Sequence, residues 1–582
     1  MISECSSFPV CVSEFTFGSG SYQPSHFARF SARLHSERLF HPKSMADIDN
    51  KADLAKHVEA VDAIPSKVLV ENAAVGSDLE HELAPWAAIK AYPMAVFWCL
   101  MVSMCVVMEG YDLILIGNFY AYPAFAKKYG EYVAETNNYQ LTAPWQVALG
   151  NASGIGAFFG VLANGYLVDI FGKKKLLLCS LVVLSCFISM TFKADTKVIL
   201  LLGEMLCGLP WGVFATTAPA YASEVLPLSL RVYMTSYTNM CFIMGQLIAA
   251  GVLSSLSTRN DQWAYRIPFA LQWAWPVVLF PILLFAPESP WHLVRHGKLE
   301  EAEKSLARLV RKSANIDPKK TLAYIVHTNE LEREIQAGTS YLDCFKGVEL
   351  RRTEIACMAF AGQVFAGSLF AYNSTYFFQQ IGLGTKATYR MNVGGTGMAL
   401  AATLISWFAI MPYVGRRTNY LWGMGTMTVI LFLIGFLNIK ERDDNIVITQ
   451  AALTLIWTFV FQLSAGQLGW ALPAEVGSTR LRQKTICLAR DAYYIINFAA
   501  RTLEPYFLNP REWNLKGYTG FVWGGTALLT FIWAFIRLPE TKDRTFGEID
   551  ILFANRVPAR KFRKYNTDLY NESAPIVEEA RS

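Results

Sequence analysis

Three carboxylates stand inside long apolar runs of this 582-residue chain: Glu109 and Asp112 in one run, Glu204 in another. Glu109 and Asp112 are three residues apart, so a helix carries both on one side. Glu204 falls at comparable depth in a run that crosses in the opposite direction. An ionised carboxylate at the centre of a bilayer costs about 2.5–3.5 kcal/mol on insertion scales. Each must therefore face a wet cavity or hold a proton, and the chemistry such groups offer is reversible protonation. No Walker loop, metal-ligand spacing or nucleophile motif accompanies them, so no enzyme, cofactor or metal site is expected. The 11 cysteines include no CxxC pair; Cys105, Cys179, Cys186, Cys207 and Cys241 lie in apolar runs and read as packed thiols.

The elements that position these residues follow from composition. Hydrophobic residues make up 53% of the chain and charged ones 17%, against about a quarter charged in a soluble protein. The charge gathers at the two ends and in one central block. Between them lie twelve apolar segments of spanning length, near 96–119, 145–167, 176–192, 198–222, 235–256 and 269–285, then 355–378, 393–411, 420–437, 446–472, 486–507 and 520–536. Residues 1–90 read as a cytosolic, mostly disordered tail, with Met45 a second plausible start and no cleavable signal peptide. The expected organisation continues with a first six-helix half at 91–287, an intracellular helical linker at 288–352, a second half at 353–538 and a cytosolic C-terminal tail at 539–582. Within the linker, apolar residues recur at helical spacing over 299–309 and predict an amphipathic helix. Lys173, Lys174, Lys175, Arg231, Arg416, Arg417, Arg480, Arg482 and Lys484 place their loops, and both termini, in the cytosol. The sequons at Asn373 and Asn571 then fall in a span and in the cytosol and are expected to stay unmodified. A net charge of +5 without a basic stripe offers no nucleic-acid surface.

The two halves repeat. Tyr221-Ala222-Ser223-Glu224 precedes Arg231, and Pro473-Ala474-Glu475 precedes Arg482, with seven residues from Glu to Arg each time. Pro287-Glu288-Ser289 answers Pro539-Glu540-Thr541, and Gly172-Lys173-Lys174 answers Gly415-Arg416-Arg417. Three matches in one order, each just after a span, imply a duplicated six-helix unit. Parallel halves of this kind imply a central pathway open alternately to either side. The fold class expected is therefore an all-α membrane protein of twelve transmembrane helices in two pseudo-symmetric halves.

At these residues the chain resembles the sugar porter family of the major facilitator superfamily, over roughly residues 94–550. Gly110-Tyr111-Asp112, Gly165-Tyr166-Leu167-Val168-Asp169, Pro219-Ala220-Tyr221, Pro287-Glu288-Ser289-Pro290-Trp291 and Pro539-Glu540-Thr541-Lys542 carry the likeness. A narrower similarity, to fungal maltose and other α-glucoside permeases, rests on Met108-Glu109-Gly110-Tyr111-Asp112 and Cys207-Gly208-Leu209-Pro210-Trp211-Gly212. Ser374-Thr375-Tyr376-Phe377-Phe378, and Ser478-Thr479-Arg480-Leu481-Arg482 with Lys484 and Arg490, extend it.

The resemblance implies a monomeric plasma-membrane transporter working by alternating access, with a mono- or disaccharide, protons and the bilayer as partners. Proton-coupled symport of α-glucosides such as maltose is the activity expected. In proton-coupled members the Asp matching Asp112 is the proton site and a fourth-span Arg is its partner; here that position is Glu204, so a proton site shared by Asp112 with Glu204 or Glu109 is expected. By the same match, Asn239, Gln246, Gln363, Trp470 and Asn497 contact the sugar. Val364, Leu369 and Asn373-Ser374 replace the family's seventh-span Gln, Asn and Tyr pair, which fits a pocket reshaped for a larger glucoside. Asp169, Glu224, Arg231, Arg416, Arg417, Glu475 and Arg482 are implied as gating salt bridges on the cytosolic rim. The alternatives are an energy-independent hexose facilitator, which has no use for a proton site, and a non-transporting sugar sensor, which would carry a long cytosolic extension. For any single intramembrane Gln or Asn, interhelical hydrogen bonding is the plainer role.

Overall fold

The structure is a computed structural model describing residues 84–119, 123–133, 138–256, 259, 261–311, 317–335, 340–372, 385–439, 444–478, 480–508, 513 and 515–565. The expected tail up to residue 83, the run 374–378 and the sequons at Asn373 and Asn571 lie outside the described residues. Among those described, eleven helices are long and apolar enough to cross a membrane. They are α1 (Pro93–Gly117), α2 (Pro144–Phe171), α3 (Lys173–Phe192), α4 (Lys197–Val225), α5 (Leu228–Leu256) and α6 (Trp263–Leu283). The second set is α7 (Gly347–Phe370), α8 (Met391–Ile410), α9 (Arg416–Leu437), α10 (Ile448–Val476) and α12 (Thr519–Arg537). The remaining expected span, 486–507, falls within α11 (Arg482–Leu508), a continuous helix made too polar by Arg490, Asp491, Arg501 and Glu504 to qualify on composition. All four charges but Arg501 are buried, while Ile495, Phe498 and Leu503 face outward. Charged side chains on a spanning helix turn to the bundle interior for this reason.

Local signals set the helix ends. Pro93 and Pro144 occupy first-turn positions, where a missing N–H leaves no bond unmade. Thr196 caps α4, its hydroxyl accepting from the Ile199 amide at 3.3 Å. α2 stops at Gly172, whose φ of +81° an L side chain resists.

The same pairing recurs in both halves: α1 with α5, α2 with α4 and α3 with α6, then α7 with α11, α8 with α10 and α9 with α12. The halves meet along α2 against α11 and α5 against α8. Within the first half, glycine lets backbones touch: a Cβ at Gly208 would sit 2.2 Å from the Ser153 carbonyl oxygen, and one at Gly110 would sit 2.1 Å from that of Phe242. In lipid, such close crossings replace the hydrophobic drive that holds soluble helices together.

Two segments differ from expectation. Between α1 and α2, Glu131–Val133 pairs antiparallel with Asn138–Gln140, aided by the Tyr132–Tyr139 ring contact. The C-terminal tail is not merely polar: it forms a helix at Phe546–Ala554, opened by a capping box in which Thr545 and Glu548 exchange hydrogen bonds. That helix joins the linker helices Pro290–Arg295, Leu299–Leu309 and Pro318–Ile335, where Phe546 packs with Trp291, Leu306 and Tyr324. The predicted amphipathic helix over 299–309 is Leu299–Leu309, burying Ala302, Ser305, Leu306 and Leu309.

Candidate functional site

Glu109, Asp112 and Glu204 separate into two groups. Residues three apart on a helix point about 60° from one another, and α1 uses that angle. Asp112 turns toward α4 and α6: its carboxyl group lies beside that of Glu204, and its Oδ1 accepts from Gln272 Nε2 at 2.8 Å. Both carboxyl groups are only 1% exposed. Glu109 turns toward α11, where its Oε1 accepts from Arg490 Nη2 at 2.7 Å and from the Tyr494 hydroxyl at 2.9 Å. Its ion pair therefore bridges the two halves.

Arg490 is boxed by aromatic rings, its guanidinium 4.5 Å from the Trp470 and Tyr493 centroids, 4.8 Å from Tyr494 and 5.4 Å from Phe360. Trp470 thus lies beneath the Glu109–Arg490 pair. Asn239 Nδ2 on α5 donates to Gln462 Oε1 on α10 at 2.8 Å, a second bond between the halves. Gln363 Nε2 on α7 reaches the Ala465 and Gly466 carbonyls at 3.2 and 2.8 Å, just after the non-helical Ser464 interrupts α10. A side chain at Gly469 would displace it, since a Cβ there would stand 2.3 Å from Gln363 Nε2. Gln246 is buried on α5, its Nε2 without a hydrogen-bond partner among the described residues.

Asn497 lines a cavity of about 320 Å³ between α2 and α11, walled also by Glu109, Trp211, Phe242, Tyr493 and Arg501. Of the five expected sugar contacts, Asn497 is the one that lines it. Arg501 Nη1 bridges its rim to the Gly150 carbonyl at 2.5 Å.

At the linker end the sequence repeat becomes a repeated structure. Glu224 binds Lys173 and Ser289, and its Oε1 accepts from Arg295 Nη2 at 2.9 Å. Glu475 faces Arg416 Nε at 3.5 Å and accepts from the Thr541 hydroxyl at 2.5 Å. Glu288 accepts from the Lys173 and Lys174 amides at 3.1 Å each, and Glu540 from the Arg416 amide at 2.7 Å, so the two carboxylates cap the starts of α3 and α9. Gly172 and Gly415 leave room for them: a Cβ would lie 2.6 and 2.0 Å from the Glu288 and Glu540 oxygens. Between the halves, Lys484 at the start of α11 bonds Asp169 at the end of α2. Arg231 and Arg482, equivalent positions of the repeat, stack on the ring of Phe546 at 3.7 and 3.5 Å. His292, tucked beside this cluster, is driven from its ordinary 6.5 down to about 3 by burial and by His296, Arg295 and Lys173.

Reading the sequence for site residues missed Gln272, Gln462, Tyr494, Arg501, Ser289, Thr541 and Phe546. Some signals were present: four charges inside an otherwise spanning segment mark α11, and Ser289 and Thr541 stand in the repeated Pro-Glu-Ser/Thr triplets. Gln272 and Gln462 carry no motif, and only the packing of their helices pairs them.

Residues 98–553 match the family described as Sugar (and other) transporter. Maltose permease MAL31 of Saccharomyces cerevisiae is 37% identical over 508 residues, 86% of this chain and 82% of that one. The general alpha-glucoside permease of the same organism is 38% identical over 493 residues, 83% of this chain and 79% of its own. Among solved structures, the proton:xylose symporter XylE bound to 6-bromo-6-deoxy-D-glucose superposes with a TM-score of 0.68 at 21% identity, covering 79% of this chain and 100% of that one; the likeness is one of fold. With the family match spanning most of the chain and relatives this similar over most of their own length, the protein is a multi-pass membrane protein belonging to the Sugar (and other) transporter family.

Proposed function

We propose that the protein carries α-glucosides such as maltose across the plasma membrane by alternating access, in symport with protons, as a monomer whose linker and termini face the cytosol. The observation that carries the proton is the pairing of Asp112 with Glu204, each residue only 1% exposed. Two buried carboxyl groups side by side do not both ionise, so one of them keeps a proton, and that proton is a coupling ion in place. Relatives named as maltose and alpha-glucoside permeases support the substrate class, as do neutral amide and aromatic side chains gathered where the halves meet. The linker end is closed by Asp169–Lys484 and the Arg231–Phe546–Arg482 stack, while the cavity lies beyond the Glu109–Arg490 pair. This is the arrangement of a carrier closed to the cytosol.

One proton moving down 100 mV releases about 2.3 kcal/mol, and each pH unit adds about 1.4 kcal/mol. Together they sustain an accumulation of several hundredfold, which a facilitator never reaches. The test is labelled maltose uptake by yeast lacking its own glucoside carriers, at two external pH values, with and without an uncoupler. Accumulation stimulated by acid and abolished by the uncoupler is expected; equilibration alone would reduce the protein to a facilitator, and no uptake would remove the assignment. Asp112→Asn is expected to end maltose-driven proton entry.

A further inference from the structure

Beyond the C-terminal helix the chain forms a short 3₁₀ helix, Ala559–Lys564. With about three residues per turn, side chains three apart eclipse one another, so the segment has three edges. Ala559 and Phe562 form the buried edge; Arg560 and Arg563 form the second, Lys561 and Lys564 the third, and all four cations are exposed. Phe562 anchors the segment against Phe553, their ring centroids 5.2 Å apart. Arg351 of α7 lies 5.2 and 5.6 Å from the Phe553 and Phe562 centroids and donates to the Val557 carbonyl at 2.9 Å.

The seat of this segment decides what its cations can meet. The Arg560 guanidinium lies 4.5 Å from the centroid of Phe535, and that of Arg417 on α9 lies 5.8 Å from the same ring. Phe535 stands on the last turn of the spanning helix α12, exposed with Leu529, Ile532 and Ile536 on the face that lipid covers. Arg560 is therefore held where hydrocarbon gives way to headgroups. Basic residues that only fix topology need no ordered seat; these have one.

The charge is also uncompensated. Among the described residues, Arg556, Arg560, Lys561, Arg563 and Lys564 have no carboxylate partner. Four carboxylates at this end of the second half are committed elsewhere: Glu354 to Arg537 and Trp533, Glu548 to Arg544, Asp550 to Arg352, and Glu540 to the Arg416 and Lys542 amides. Exposed Asp543 offsets at most one of the five. A cluster of about four to eight Lys and Arg beside the cytoplasmic end of a spanning helix attracts anionic headgroups. Guanidinium forks match phosphate oxygens two at a time. Arg560 and Arg563 on one edge, with Arg417 beside them, suit a headgroup bearing several phosphates.

We propose that Arg560, Arg563 and Arg417 form a site for an inositol phospholipid of the cytosolic leaflet, its phosphates on the guanidiniums and its acyl chains along the Phe535 face of α12. The site depends on the orientation stated above, with the linker end cytosolic, and not on the cargo.

The test is native mass spectrometry of the full-length protein in detergent, with added phosphatidylinositol bisphosphate, phosphatidylcholine or soluble inositol trisphosphate. Arg560→Gln combined with Arg563→Gln is expected to raise the Kd for the phosphoinositide about thirtyfold, at about fivefold per cation. Phosphatidylcholine binding and the Tm should stay at wild-type values. Lys127→Gln with Lys128→Gln removes the same charge from the opposite end and should leave the Kd unchanged. Should the double arginine variant not fold, Arg563→Gln alone is expected to raise the Kd about fivefold. An unchanged Kd in the arginine variants overturns the site, and an equal rise in the lysine variant reduces it to net charge and overturns it too. Soluble inositol trisphosphate binding as tightly as the lipid would assign the cluster to a free phosphate compound and overturn the membrane source. Failure of maltose uptake would overturn the transport reading while leaving this comparison of Kd values intact.

Discussion

Glu109 and Arg490 form an ion pair whose side chains are 11% and 2% exposed, and its strength depends on both members being present. Removing one partner of a buried pair is destabilising by about 3–5 kcal/mol, whereas replacing both is often close to neutral. Glu109→Gln is therefore expected to lower the Tm of the detergent-solubilised protein and to stop uptake. Adding Arg490→Met should restore the Tm without restoring uptake; a single variant as stable as the wild type would contradict the pair. His292 makes the opposite contribution to pH behaviour. With its value depressed from 6.5 to about 3, its stabilising effect is complete above 6.5 and fades as pH falls toward 3. It stays neutral across the weakly acid range where uptake would be stimulated, so His292→Gln should leave the shape of the uptake–pH profile unchanged. A displaced profile would move the proton site to the linker. Asp112, Glu109 and Glu204 were legible in sequence because charge amid apolar residues is conspicuous. Their partners were not, since the rotation of α1 decides whether a carboxylate meets α4, α6 or α11.

Helix crossings depend on residues with no chemistry of their own. Overpacking a fitted interface costs about 1–3 kcal/mol even where side chains can adjust, and at Gly208 the obstacle is the Ser153 carbonyl, which is backbone. Gly208→Leu is expected to push α4 off α2 and to abolish surface delivery. Gly154→Ala, on α2 but facing open space, should be delivered normally. Equal delivery of the two would mean that α2 and α4 do not cross this closely. All twelve expected spans were readable as apolar runs, and eleven of them coincide with helices that qualify as membrane-spanning on length and composition. α11 shows where that reading weakens. A helix that buries its polar side against α2 and α7 needs only a narrow lipid-facing stripe, at Ile495, Phe498 and Leu503, and its average composition hides the stripe. The C-terminal helix was signalled by Thr545 and Glu548, a capping pattern whose significance depends on the surface waiting to receive it.

Across the whole molecule, the two halves, the linker and the C-terminal segment converge on Phe546. Its ring separates Arg231 from Arg482 at a linker end closed also by Asp169–Lys484. Cation–π contacts shielded from water are worth about 2 kcal/mol each, so Phe546→Ala should shift the balance toward the state open at the linker end by at least tenfold. Cys487 reports this, being fully buried where α11 meets Ala157 and Val161 of α2. With the other cysteines replaced by serine, its alkylation rate is expected to rise at least tenfold in Phe546→Ala. An unchanged rate would show that the stack does not hold the halves.

The sequence by itself determined what each segment must do: its hydropathy demanded membrane helices, its duplicated Glu, Arg and Pro-Glu positions demanded two like halves, and its isolated carboxylates demanded protonation or a partner. Each of these follows from the neighbours along the chain. Tertiary structure decided which groups meet across those halves, as with Glu109 and Arg490 or Asn239 and Gln462. Such pairings join residues hundreds of positions apart. They are set by how helices rotate and cross, and a change of one turn would reassign every partner while leaving the pattern of apolar and polar residues the same.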